Sequence, residues 1–235
     1  MQAPSSSIYP PVTLETLLQS RSAKAPRSVA FIQAERTITQ EQFLEQVSRT
    51  AVWLQSRGIG PTDRVAVWMA NRIEWLALLF ALARVGAALV AINTRYRSEE
   101  VGYLLSRSQA HMLIMQPDVG SANLLDVVRA VEPSRLGSLR EIAVIDAPAV
   151  LPDPMTCPRL VRFEPGAVVE PVIPAGRPDD LCILYTTSGT TSEPKLVMHP
   201  QRTIAEHAIR SAQFYGFDQP AARMLAALPF CGTFG

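Results

Sequence analysis

Apolar positions along this chain of 235 residues alternate between two rhythms. After Thr39, the residues Phe43, Leu44, Val47, Ala51 and Leu54 fall on one face of a helix, with polar positions between them. Thr39 with Gln42 forms a capping-box signature at its start, and Gly58 is placed to end it. Residues 64–69 then form an apolar run of strand length. Residues 75–92 are apolar apart from Arg84, with Gly86 near the middle. A spanning helix needs about 20 such residues without interruption, so this stretch reads as a helix through Ala83, a tight turn and a strand over 88–92. Ser98-Glu99-Glu100 opens a further helix with acidic groups at the positive end of its dipole. Residues 111–115 and 142–145 read as strands, 124–131 as a helix.

Nine of the nineteen prolines lie between Pro133 and Pro178, which predicts a long connection with short edge strands. Residues 181–184, Leu-Cys-Ile-Leu, follow Asp179 and Asp180 and read as a buried strand. Residues 197–199 read as a strand, 203–214 as a helix and 224–228 as a last strand. Alternating strands and helices define an α/β class: a parallel-rich sheet with helices on both faces.

Composition narrows the function classes. Hydrophobic residues make up 48%, charged residues 18%, and the formal net charge is +1, so neither disorder nor a nucleic-acid or anionic-membrane footprint is expected. Cys157, Cys182 and Cys231 form no close pair and no CxxC, and the first residues carry no basic or apolar leader pattern. Reduced thiols and a cytoplasmic location are the expectation. His111, His199 and His207 lack metal-ligand spacing, so no metal site built from protein ligands is expected.

The candidate chemistry lies just past the 181–184 run. Residues 186–192 hold six hydroxyl side chains and one glycine, and Lys195 follows. Backbone N–H groups, short hydroxyl donors and an ammonium gathered behind a strand suit a polyphosphate. Such a cluster also reads as a solvated turn between strands. A Walker A loop needs glycine before its lysine and Ser/Thr after it; Pro194 and Leu196 stand there instead, which disfavours a phosphate-loop kinase. Ser188 lies in no G-x-S-x-G elbow, and Gly58-x-Gly60 is no dinucleotide fingerprint. Cys231 reads as a packed, unreactive thiol. Only Lys24 and Lys195 among the twenty-two basic residues are lysine, so a lysine at this position is notable.

The stretch resembles the signature loop of AMP-forming acyl-CoA synthetases and related adenylate-forming ligases, Tyr-Thr-Ser-Gly-Thr-Thr-Gly-x-Pro-Lys-Gly-Val. Thr187, Ser188, Gly189, Thr190, Thr191, Pro194, Lys195 and Val197 match in register; Ser192 and Leu196 replace glycine positions. Residues 58–67 are similar to the family's Gly-Val-x-x-Gly-Asp-Arg-Val-Ala turn and strand. Asn71-Arg72-Ile73-Glu74-Trp75, Gly86-Ala87-Ala88, Asn93-Thr94-Arg95-Tyr96-Arg97, Glu100 and Tyr103-Leu104-Leu105 follow in family order. Residues 228–235 look like Leu-Pro-x-x-His-x-x-Gly, with Gly232 at the histidine position.

The resemblance implies part of the large N-terminal region of an adenylate-forming ligase. Residues 61–216 would be an α/β subdomain carrying the phosphate loop, 1–60 a partial segment of a second, and 217–235 the start of its truncated remainder. It implies activation of a carboxylic acid, fatty or other acyl, by ATP with Mg2+ to acyl-AMP, then transfer to coenzyme A. Thr187, Ser188, Gly189, Thr190, Thr191 and Lys195 would hold the β- and γ-phosphates; no catalytic residue is assigned. Homo-oligomerisation stays open. The isolated chain is expected to be inactive, because the family's adenine and ribose contacts and C-terminal lysine have no counterpart here. The alternative is a catalytically inactive remnant serving as a binding or structural module.

Overall fold

Each helix start and turn is fixed by a local device that the sequence supplies. The computed structural model describes residues 12–147, 158–167, 172–187, 194–219 and 222–232. Thr13 caps α1 (Leu14–Lys24): its hydroxyl accepts from Thr16 N, and the Thr16 hydroxyl accepts from Thr13 N. An antiparallel hairpin, β1 (Val29–Gln33) and β2 (Arg36–Thr39), leads into α2 (Gln40–Ser56). Thr39 and Gln42 form the expected reciprocal cap, with Gln42 N 3.2 Å from the hydroxyl and Thr39 N 2.9 Å from the side-chain carbonyl. Phe43, Val47, Ala51 and Leu54 are buried and Leu44 packs partly against the same core. Gly58, at φ +73°, then turns the chain as a left-handed residue just past the helix end.

The sheet begins with β3 (Arg64–Trp68), followed by α3 (Ile73–Val85), β4 (Ala88–Ala91), α4 (Ser98–Ser108) and β5 (Met112–Met115). A small hairpin, β6 (Asp118–Val119) and β7 (Ala122–Asn123), precedes α5 (Leu124–Arg129) and a 3₁₀ turn over Pro133–Leu136. Then come β8 (Glu141–Val144), β9 (Arg159–Arg162), β10 (Leu181–Thr187), β11 (Lys195–Pro200) and α6 (Gln201–Tyr215). Seven strands make one sheet in the order β11-β10-β4-β3-β5-β8-β9. Every neighbouring pair is parallel except β10 with β11. Strands β4-β3-β5-β8-β9 follow the 2-1-3-4-5 order of doubly wound folds, which open a crevice beyond the carboxyl ends of the strands.

Strict alternation divides the core. Val65, Val67, Leu89, Ala91, Met112 and Ile114 face one cluster, with α1, α2, α3 and Ala205 of α6 over them. Ala66, Trp68, Ala88, Val90, Leu113 and Met115 face the other, under α4, α5 and the 3₁₀ turn. Burial on both faces is why these strands read as continuous apolar runs.

Arg84, the one charge in the apolar stretch, is buried at the end of α3 and paired. Its Nε and Nη2 donate to the Glu15 carboxylate at 2.7 and 2.6 Å, and Nη1 donates to Ser48 Oγ at 2.8 Å. Around it, Gln201 Nε2 donates to Ala83 O at 2.9 Å, and the N–H groups of Ala175 and Gly176 donate to Arg84 O. Among the described residues no helix is long and apolar enough to cross a membrane.

One expected strand is absent. Residues 224–228 have no ladder partner, and Met224, Leu225 and Leu228 are exposed; an extended segment without a neighbour to bond is not a strand.

Candidate functional site

β10 reaches farther than the strand beside it. It pairs with β4 only at Ile183↔Leu89 and Leu184↔Val90, so Tyr185, Thr186 and Thr187 continue as a two-stranded ribbon with β11 alone. The last pair of that ribbon is Thr187↔Lys195, and the pair before it is Thr186↔Leu196. Two members of the candidate phosphate set, eight apart in sequence, thus face each other at the mouth of the connection. Lys195 is exposed and Thr187 half-buried. Ser188, Gly189, Thr190 and Thr191 lie outside the described residues, as does Ser192. Leu196, at a glycine position of the loop pattern, packs partly against the second core cluster.

Other turns converge on the same carboxyl edge of the parallel strands. Asn93 closes the turn after β4: its side chain accepts from Arg95 N at 3.0 Å, and its carbonyl accepts from Tyr96 N and from Trp68 Nε1, each at 3.0 Å. That turn brings the Tyr96 hydroxyl 3.0 Å from Thr186 Oγ1. Asn71, in the turn after β3, clamps the end of the chain. Its Nδ2 donates to Ala226 O and Leu228 O at 3.3 and 2.7 Å, and its Oδ1 accepts from Phe230 N at 2.8 Å. Phe230 then lies 5.4 Å, ring to ring, from Trp75. The sequence presents Asn71 and Tyr96 as parts of collinear segments without a role; nothing local in either segment signals its distant partner.

Burial disfavours the thiolate at both described cysteines. Burial pushes the Cys182 thiol up to about 12. Burial also raises Cys231, against a backbone hydrogen bond from Thr94 that works the other way. Tyr185 is pushed up to about 12 by burial first and by the neighbouring Cys182 and Cys231 next. Cys157 lies outside the described residues. A raised thiol value makes the folded state hold its proton more tightly than the unfolded chain does. Stability from this source is therefore full below pH 9, the ordinary thiol value, and declines from there toward pH 12. Urea midpoints measured from pH 7 to 10.5 are expected to fall above pH 9, and a smaller fall in Cys182→Ala checks the assignment.

A second cleft, of about 430 Å³, lies between α2, β2 and the start of α3. Its cations are already engaged: Arg36 with Glu74, Arg49 with Glu45, and Arg72 with Glu74 and Asp146 at 2.8 and 2.6 Å. Burial opposes charge at Arg72 and Glu74, but these bonds outweigh it, raising the arginine and lowering the glutamate. These ion pairs tie the start of α3 to β2 and to the end of β8.

An open doubly wound sheet with a two-stranded ribbon ending in Thr187 and Lys195 at its carboxyl edge places the chain in the α/β class. The chain belongs to the AMP-binding enzyme family, whose model matches residues 18–235. It is 32% identical over 217 residues to the long-chain-fatty-acid–CoA ligase FadD13 of Mycobacterium tuberculosis, covering 91% of this chain and 40% of that one. It is 31% identical over 179 residues to the crotonobetaine/carnitine–CoA ligase of Escherichia coli, covering 76% and 32% respectively. The solved fatty acyl CoA synthetase of Mycobacterium tuberculosis superposes with a TM-score of 0.70 at 28% identity, over 86% of this chain and 37% of that one. The chain therefore spans well under half the length of these relatives and matches their N-terminal portion.

Proposed function

We propose that this chain is the N-terminal portion of an AMP-forming acyl-CoA synthetase and binds the β- and γ-phosphates of ATP. The observation that carries this reading is the Thr187↔Lys195 pair closing the ribbon at the carboxyl edge of the sheet. An exposed ammonium beside a hydroxyl, at the mouth of a connection containing Ser188, Gly189, Thr190 and Thr191, fits a polyphosphate. Lys195 is exposed, which leaves its ammonium within reach of an anion from solution. In this reading a carboxylic acid attacks the α-phosphate of ATP held with Mg2+, pyrophosphate leaves, and the thiol of coenzyme A displaces AMP to give the thioester. The part played by these residues is electrostatic: they hold the group on which negative charge builds. In this reading residues 61–216 would be the unit that carries the loop, with 1–60, whose α1 and α2 lie over one face of its sheet, and 217–235 contributing to a second subdomain. The three cysteines without a pairing pattern favour a cytosolic setting.

Replacing Lys195 by alanine is expected to weaken MgATP binding by about 1–3 kcal/mol, the value of a charge-assisted hydrogen bond. Titration calorimetry of the wild type, Lys195→Ala and Lys195→Arg checks this; equal affinities would end the assignment. A second reading, a catalytically silent binding module, is favoured by Gly232 at the histidine position of the Leu-Pro-x-x-His pattern.

A further inference from the structure

We infer that Tyr96 is a positioning residue for the candidate phosphate site, fixing the mouth of the β10–β11 ribbon through its hydroxyl bond to Thr186; the inference rests on the phosphate reading above. Thr186 and Leu196 form the ribbon's second-to-last pair, directly beneath Thr187 and Lys195. Beyond Leu184 the ribbon has no ladder to the rest of the sheet, because β4 pairs only through Leu184. A two-stranded ribbon held by its own ladder alone is marginal, so its direction depends on side-chain ties to the body of the fold. The Tyr96–Thr186 bond, 3.0 Å across a separation of ninety residues, is such a tie.

The other end of the tie is firmly held. Asn93 fixes the turn that carries Tyr96, Trp68 Nε1 bonds the Asn93 carbonyl, and Trp68 is completely buried. Tyr96 packs partly against the second core cluster, as does Leu196, and Leu184 is a buried member of it. A rigid phenol is thus anchored on the core and reaches to the ribbon with one polar atom. The loop pattern that this chain resembles begins with tyrosine, and Thr186 stands at that position. Here the phenol is supplied from the turn after β4 and the strand supplies a hydroxyl to receive it. The placement couples Thr187 and Lys195 to the Asn93 turn, so that both face one bound anion without a search through ribbon orientations.

The test uses the whole chain with inorganic pyrophosphate and Mg2+ as the probe. Tyr96→Phe removes one oxygen and keeps the ring; Thr186→Val removes the partner, and Thr186→Ser keeps it. Tyr96→Phe and Thr186→Val are each expected to speed hydrogen exchange at β10 and β11 amides by about three- to tenfold and to weaken pyrophosphate binding by a similar factor. Thr186→Ser leaves both near wild type, and the double variant is no worse than either single one. Amides of β3, β4 and β5 keep their wild-type rates. Unchanged exchange in β10 and β11 overturns the inference, as does acceleration spread equally over β3, β4 and β5. Faster exchange with undiminished pyrophosphate affinity overturns the positioning role. A wild-type chain without pyrophosphate affinity overturns the phosphate reading instead, and the exchange rates then decide the tie to Tyr96 on their own.

Discussion

Replacing Arg84 by methionine is expected to lower the unfolding free energy by about 3–5 kcal/mol. The substitution keeps the length of the side chain and much of its apolar stem. What it removes is the partner of Glu15, which is itself only 5% exposed and accepts both guanidinium bonds. A carboxylate left in that position keeps only the neutral amide of Gln19, and must stay charged without a counter-charge, take up a proton, or pull α1 away from α3. Ser48 also loses its donor. The double change Glu15→Gln with Arg84→Met is expected to recover a large part of the loss, because it removes the stranded charge and not only its partner. Arg84→Lys restores less, since an ammonium lacks the fork that meets both oxygens. Urea unfolding of the wild type and the three variants measures all of this. A single-variant loss below about 1 kcal/mol would contradict the buried-pair argument.

Gly176→Ala is expected to be nearly as harmful, at about 3–4 kcal/mol, for a steric reason. A Cβ at that position would lie 1.9 Å from Ala83 O and 2.6 Å from Gln201 Nε2. The contact at 1.9 Å is with backbone inside the final turn of α3, which has no flexible end to move aside. Relief requires the 175–176 segment to withdraw, which breaks its two N–H bonds to Arg84 O and disturbs the Gln201 bond to Ala83 O. Overpacking alone costs about 1–3 kcal/mol, and a lost buried hydrogen bond adds about 1. Thermal unfolding is the check: a melting temperature equal to wild type would mean that the backbone there yields freely.

The legible part of the fold is the part whose environment repeats. Strands β3, β4, β5 and β8 are covered on both faces, so unbroken apolar runs betray them whatever their neighbours. The β1–β2 hairpin is not legible, because its two-residue turn is Ala34-Glu35, with neither glycine nor asparagine, and Ala34 adopts φ +50°. Residues 224–228 mislead for the opposite reason: they have strand-like composition but no partner edge. The candidate site is legible at Thr187 and Lys195, since hydroxyls and a rare lysine stand out against their surroundings. Their opposition across the ribbon follows from antiparallel pairing, which a short connection requires. The ties through Tyr96 and Asn71 are not legible, because each joins segments that local periodicity treats independently.

The order of strands also predicts an order of assembly. β3, β4, β5 and β8 join through successive local crossovers, each closing a loop of a few tens of residues. β10 meets β4 only after a return of roughly ninety residues, and only through two register pairs. The entropy of closing that long loop falls on β10, so β10, β11 and α6 are expected to dock last and open first, with native-state hydrogen exchange as the check. The candidate site therefore sits on the seam of the fold. A ligand that grips Thr187 and Lys195 would stabilise this late-docking unit more than the sheet's centre, and occupancy and local order there would rise together.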